Sequence, residues 1–156
     1  MTKSPFYASG LRFSCKRCSA CCRYESGYVF LSEKDLKILA DWLKMDNRGF
    51  TNTFCRWVNK EQGREFLSLK EKSNFDCVFW DFGCKVYNAR PVQCRTFPFW
   101  QSVVATSGAW EMAASGCPGI NSGKMYDGKT IAAFIAQQSK VQIIERKLTR
   151  GDIDAY

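Results

Sequence analysis

The amino-acid sequence predicts a small α+β domain with short antiparallel hairpins and a long C-terminal amphipathic helix. Through the middle of the chain, short apolar runs alternate with turn-forming residues, a pattern typical of hairpins. Near both ends, apolar residues recur at helical spacing. Nine cysteines, four of them within eight residues, indicate a fold organised around sulfur.

The first part of the chain contains two predicted helices. The predicted elements are an irregular arm over 1–14, a strand over 27–31, a helix over 33–45 and a short helix over 51–58. Ser32 caps the longer helix, because Asp35 follows three residues later as an acidic variant of the capping box. The shorter helix is expected to bury Phe54 and Trp57.

The second part of the chain contains the predicted hairpins. The predicted elements are strand-like runs over 66–69, 77–80 and 84–87, a helical turn over 91–94, a hairpin of 99–106 with 109–113, and a helix over about 128–148. The residues 72–74 and 81–83 are turn formers that separate the first three runs. Pro91 suits the first position of a helix, and Ser107-Gly108 suits a hairpin turn.

The length of 156 residues fits a single domain, 1–156, and 46% apolar residues exclude a disordered basic tail. The start of the chain lacks the apolar run of a secretory signal. The sequence contains no stretch of 18 apolar residues, so no membrane span is predicted. We therefore expect a cytoplasmic protein, in a compartment where structural disulfides are rare.

Histidine is absent, and this absence excludes several kinds of site. Ser-His-Asp and Cys-His nucleophilic pairs need an imidazole, as do mixed Cys/His zinc sites and Rieske clusters. Nine cysteines remain, an odd number that fits full disulfide pairing poorly. Metal binding by thiolates is therefore the leading interpretation.

The densest motif is the run Cys15-x2-Cys18-x2-Cys21-Cys22. Its first three cysteines have the spacing of the bacterial ferredoxin run, which takes a fourth ligand from a distant part of the chain. Adjacent side chains point in different directions, so Cys21 and Cys22 are expected to serve different centres.

Counting the other cysteines extends this interpretation to two all-thiolate centres. Cys77, Cys84, Cys94 and Cys117 supply the four missing ligands, one for the first centre and three for Cys22. Cys55 is left over, and we interpret it as a small buried hydrophobic residue. Structural zinc sites usually combine two C-x2-C pairs, whereas this chain has a triple run with scattered partners, which favours an iron–sulfur cluster over zinc.

The ordered set of cysteine motifs resembles the YkgJ-like CxxCxxCC cysteine-cluster family, a zinc- or iron-chelating domain. The motifs are the run Cys15–Cys22, then Cys77-Val-Phe-Trp, Cys84-Lys-Val-Tyr-Asn-Ala-Arg-Pro, Cys94-Arg-Thr-Phe-Pro-Phe and Gly116-Cys117-Pro-Gly. The resemblance covers about residues 12–120, the expected metal-binding core, and the motif set is highly specific. It implies as metal ligands Cys15, Cys18, Cys21, Cys22, Cys77, Cys84, Cys94 and Cys117. The family usually has glycine where this chain has Ser19, so a less extreme backbone angle is expected there.

The sequence therefore predicts a cytosolic metal-binding protein with one or two all-cysteine centres and no assigned biological role. Two alternatives stay open: a redox or group-transfer enzyme that uses the cluster, and a zinc-stabilised module for nucleic-acid or protein interaction. The formal charge of +8 permits nucleic-acid binding, but two four-thiolate centres would lower it to about +4, so nucleic acid is not favoured. Residues 123–130 match G-x4-G-K-T, but no buried parallel strand precedes them, so no nucleotide is expected.

Overall fold

The computed structural model describes residues 4–61 and 63–148, and the chain forms two compact units. Unit 1 comprises Met1–Cys22 and Val92–Lys140, and unit 2 comprises Arg23–Pro91 and Val141–Tyr156. The regular elements in chain order are β1 (Leu11–Phe13), α1 (Glu33–Trp42), α2 (Asn47–Phe54), β2 (Cys55–Glu61), β3 (Arg64–Leu69), α3 (Val92–Thr96), α4 (Ser107–Gly116), β4 (Ile120–Tyr126), α5 (Gly128–Ser139) and β5 (Glu145–Lys147). Single turns of 3-10 helix occupy Phe6–Ser9, Ala20–Cys22 and Tyr87–Ala89. The predicted α+β class is confirmed.

Unit 2 is built on an antiparallel sheet of order β2-β3-β5. Helix α1 begins as predicted: the Ser32 hydroxyl accepts a hydrogen bond from the Asp35 N–H, and the Asp35 carboxylate accepts one from the Ser32 N–H. Leu39 and Phe50, from α1 and α2, are fully buried with Leu67 of β3 in one apolar core. Burial of these side chains is the main stabilising contribution in this unit.

Unit 1 is built on the antiparallel pair of β1 and β4, covered by helices. Phe99 lies at the centre of its core, stacked on Trp110 at 6.1 Å and on Phe134 of α5 at 5.6 Å between ring centroids. The Trp110 indole N–H donates to the Asn121 side-chain oxygen at 2.7 Å, so this buried polar group is satisfied. The core therefore fixes β4 against α4.

Several predicted elements have different bounds in the structure. The helix predicted over 51–58 begins at Asn47 and ends at Phe54, because Cys55 pairs with Leu69 as the start of β2. The runs over 27–31, 77–80 and 84–87 form only isolated bridges, at Phe30, Cys77, Trp80 and Cys84. The helical turn after Pro91 is present as α3. Pairing between distant segments thus overrides local propensity at these boundaries.

The hairpin predicted around Ser107-Gly108 is wrong. These residues begin α4, because the Thr106 hydroxyl accepts the Ala109 N–H and caps a helix. The predicted C-terminal helix is present as α5, but it ends at Ser139 instead of 148. Glu145–Lys147 instead pairs with β3. Within the described residues, no helix has the length and apolar character needed to cross a membrane.

The G-x4-G-K-T pattern over 123–130 spans the end of β4 and the start of α5. β4 is antiparallel to β1, whereas a phosphate-binding loop follows a parallel strand. The Asp127 carboxylate accepts a hydrogen bond from the Thr130 N–H at 2.7 Å, and this bond holds the pKa of Asp127 below its usual range. The helix N-terminus is thus capped by a carboxylate of its own chain.

Candidate metal centre

The predicted ligands are distributed over both units. Unit 1 contains Cys15, Cys18, Cys21, Cys22, Cys94 and Cys117, and unit 2 contains Cys77 and Cys84. Cys15, Cys18 and Cys21 are exposed, and the other five are partly buried. The region around the Cys15–Cys22 run is therefore where unit 1 concentrates its sulfur.

Cys117 lies in a turn whose backbone amides act on its thiol. It follows the last residue of α4, and its carbonyl accepts a hydrogen bond from the Ile120 N–H at 3.1 Å. Burial raises the pKa of the Cys117 thiol, the Gly119 and Ile120 amides lower it, and Cys18 and Cys21 raise it by their negative charge. These two cysteines therefore lie close enough to Cys117 to act on it electrostatically.

Backbone pairing brings the start of the cysteine run to the same turn. The Ser14 N–H donates to the Gly119 carbonyl at 3.1 Å, directly after β1 ends at Phe13. Cys15 is the next residue, so the first ligand of the run begins beside the Cys117 turn. The run then closes on itself, since the Cys22 N–H donates to the Ser19 carbonyl at 2.9 Å.

The sulfurs of Cys21 and Cys22 lie close together, so the divergence of the two side chains expected from the sequence is not seen, although the two residues differ in exposure. Their Sγ atoms lie 3.8 Å apart, but Cys21 is exposed and Cys22 is partly buried. The sequence hypothesis that the two serve different centres stays a prediction.

Four sulfurs of unit 1 match the donor chemistry of a thiophilic metal. Cys15, Cys18, Cys21 and Cys117 offer only thiolates, which suit zinc and iron–sulfur clusters. The Gly119 and Ile120 amides near Cys117 lower the pKa of its thiol, which offsets part of the effect of burial. In the part of the chain that the structure describes, however, no group of three or more Cys, Asp or Glu side chains is arranged so that it could hold a metal ion.

The charge of unit 1 complements a group of thiolates. Its residues include eight Lys or Arg and only two Asp or Glu, a formal balance of +6. Both carboxylates have internal partners: Glu111 accepts from Asn121, and Asp127 caps α5. Four thiolates around a core of charge +2 contribute −2, so bound metal would be offset by the surrounding cations.

In unit 2 the segment before Cys77 is anchored by an ion pair that the sequence interpretation missed. Buried Asp76 binds the Arg23 Nε at 2.9 Å and the Asn74 amide at 2.9 Å. The Arg23 guanidinium also lies over the Trp80 ring at 3.7 Å. Arg23 and Asp76 are 53 positions apart, so no local sequence pattern predicts their ion pair.

Cys55 belongs to the core of unit 2, next to Phe50 and Leu69, and is only 6% exposed. Burial raises the pKa of its thiol to about 12, and the nearby Lys70 ammonium offsets this only in part. Its burial agrees with the interpretation as a small hydrophobic residue.

We expect Cys55 to make stability fall between about pH 9 and pH 12, because the thiol ionises more readily in the unfolded chain than in the folded one. The contribution of Cys55 to the free energy of unfolding is fully present below pH 9. Above pH 9 it is lost at up to about 1.4 kcal/mol per pH unit. Urea unfolding across this range should show a shallower decline for Cys55→Ala than for the native chain. Equal slopes for the two proteins would contradict the buried-thiol interpretation.

Ser19, where the family usually has glycine, adopts a left-handed backbone with φ of 67°. A non-glycine residue in this region carries a steric cost. Ser19→Gly should therefore tighten zinc binding about threefold, since the loop would reach its bound shape with less strain. The matched control is Ala20→Gly in the adjacent 3-10 turn, where φ is not positive and glycine only adds chain entropy. Chelator competition measures both, and equal effects of the two variants would contradict the prediction.

Comparison with known proteins identifies a family, and distant relatives also match. The CxxCxxCC family model, described as "Putative zinc- or iron-chelating domain", matches residues 14–118. An uncharacterized protein of Methanocaldococcus jannaschii, MJ0661, is 30% identical over 100 residues, which are 62% of this chain and 50% of the relative. The chain thus spans about half the length of this curated relative. No solved structure matches.

Proposed function

Because the chain belongs to the CxxCxxCC family of zinc- or iron-chelating domains, we propose that it is a metal-binding protein whose first centre is formed by Cys15, Cys18, Cys21 and Cys117. The family supports metal binding in general. The choice of these four ligands rests on the pairing of β1 with β4 and on the Ser14–Gly119 hydrogen bond, which bring the run to the Cys117 turn.

Cys117 is the best candidate for the distant fourth ligand of the C-x2-C-x2-C run. It is the cysteine whose turn is bonded directly to the residue before Cys15. Its thiol is partly buried; burial raises its pKa, and the Gly119 and Ile120 amides offset this in part. Cys18 and Cys21 lie within electrostatic range of it.

We propose an iron–sulfur cluster in preference to zinc. The triple run with one distant ligand is the ligand pattern of bacterial ferredoxins, whereas structural zinc sites usually pair two C-x2-C turns. Such a cluster supplies one-electron transfer when bound. The protein residues contribute the four thiolates, the backbone amides near Cys117 and a surplus of cationic side chains in unit 1.

The remaining predicted ligands are Cys22 and Cys94 in unit 1 and Cys77 and Cys84 in unit 2. Metal binding by these four cysteines is a proposal that rests on the cysteine count and on the family. A reducing, cytoplasmic location is proposed on the same basis, because such a compartment keeps cysteines reduced and able to bind metal.

The proposal is tested by purifying the full chain anaerobically and measuring iron, zinc and acid-labile sulfide together with the absorption spectrum. A cluster should give a brown protein with broad absorption near ~400 nm and equal iron and sulfide. A colourless protein that contains zinc would support a metal centre but would overturn the proposal that its metal is iron. Protein that takes up neither metal, even after reconstitution, would overturn the function.

A further inference from the structure

The contact between Ser14 and Gly119 leaves no space for a side chain at position 119. Gly119 is buried, and its carbonyl accepts the Ser14 N–H at 3.1 Å. A Cβ added to Gly119 would overlap the Ser14 backbone oxygen and would lie 3.0 Å from the Phe13 ring. Because backbone atoms cannot rotate away, any side chain here must push the Cys15 segment away from the Cys117 turn.

Gly123, in β4, also lies against Ser14, on the side of the serine side chain. Its φ is 74°, and an added Cβ would overlap the Ser14 hydroxyl and Cβ. The Ser14 hydroxyl accepts the Lys124 N–H at 3.0 Å, so the serine side chain is fixed at this position. Ser14 is therefore held by Gly119 through its backbone and by the Gly123–Lys124 strand through its side chain.

We propose that Ser14, Gly119 and Gly123 form a lock that positions Cys15 relative to Cys117 for metal binding. This inference rests on the proposed function, because it assigns a positioning role to residues that contain no ligand atom. Ser14 immediately precedes one proposed ligand, and Gly119 lies two residues after the other, in the turn that the Ile120 N–H closes on the Cys117 carbonyl. The lock therefore sets the separation of two ligands that are about 100 positions apart in the sequence.

The test compares glycine-to-alanine variants on either side of Cys117. Gly119→Ala should weaken zinc binding by about tenfold to a hundredfold, as the loss of groups that support metal ligands commonly does. Gly116→Ala is the matched control, because a Cβ there meets no atom within 4 Å and its φ is not positive. Zinc affinity of the full chain is measured anaerobically by chelator competition. Equal affinities of the two variants would overturn the lock.

A second pair of variants keeps the test decisive if Gly119→Ala does not fold. Gly123→Ala should also weaken zinc binding, and Ser14→Gly in the same chain should restore part of the affinity by removing the overlapped atoms. The backbone strain of an alanine at position 123, where φ is 74°, would not be relieved by a change at Ser14, so rescue reports the overlap with the Ser14 side chain. Absence of rescue, with both proteins folded by circular dichroism, would overturn the lock.

Cys117→Ser serves as the reference for the proposed function. If it binds zinc as tightly as the native chain, the assignment of Cys117 as a ligand is wrong. If it binds weakly while Gly119→Ala matches Gly116→Ala, the ligand assignment holds and the lock is wrong. The two failures are thus distinguishable in a single titration series.

Discussion

Replacing Arg146 by alanine is expected to lower the free energy of unfolding by about 3 kcal/mol. Glu65 is only 2% exposed, and its ion-pair partner is Arg146 of β5, whose half-exposed side chain places Nε 2.6 Å from Oε2 of the carboxylate. The guanidinium also lies 4.5 Å from the Trp57 ring centroid. Removal of the cation leaves a buried carboxylate without its charge partner, which costs far more than the loss of an exposed pair.

The matched control is Arg64→Ala in the same sheet. Its pair with Glu145 is 3.5 Å long and nearly half exposed on both sides, so the expected loss is under about 0.5 kcal/mol. Urea unfolding at pH 7, with metal content held equal, measures both variants. A difference between them smaller than about 1 kcal/mol would contradict the importance assigned to buried Glu65.

Replacing Cys18 or Cys117 by serine is expected to weaken metal binding at the first centre by at least about a hundredfold, since each removes a thiolate from a four-ligand set. The metal losses of the two variants should not add. The double variant, with Cys18→Ser and Cys117→Ser together, should lose the same single centre as either variant alone. Ligands of one centre act as a unit, whereas ligands of separate centres would lose metal independently.

The amount of metal bound per chain, measured after anaerobic reconstitution, shows whether Cys18 and Cys117 belong to one centre or to two. Cys55→Ala is the control, because its thiol lies in the core of unit 2 and should leave the stoichiometry unchanged. A double variant that loses two metal equivalents where each single variant loses one would show that Cys18 and Cys117 serve different centres.

Elements with a clear local signal were predictable from the sequence. Helix α1 has both a capping box and helical apolar spacing, and β3 is a short apolar run. The hairpin at Ser107-Gly108 was wrong because a serine and a glycine also suit a helix start once Thr106 supplies the cap. The three-residue β5 carries too little local pattern to be distinguished from the end of a helix, and its pairing with β3 crosses about 80 positions.

In the candidate site, too, the features with a local sequence signal were predictable and those that depend on distant pairing were not. The spacing from Cys15 to Cys21 predicts that three sulfurs converge, because the chain between them is short. The choice of Cys117 among four distant cysteines depends on the pairing of β1 with β4, which no spacing encodes. Gly119 and Gly123 were also missed, since their close approach to Ser14 exists only in the folded chain.

The most direct test of the four-cysteine centre is a cobalt(II) titration of the full chain and of Cys117→Ser under anaerobic conditions. The intensity of the thiolate-to-cobalt charge-transfer band reports how many thiolates bind the ion. The first equivalent should show four thiolates in the native chain and three in Cys117→Ser, with an unchanged spectrum for Cys55→Ala. A Cys117→Ser spectrum identical to that of the native chain would contradict the centre proposed for unit 1.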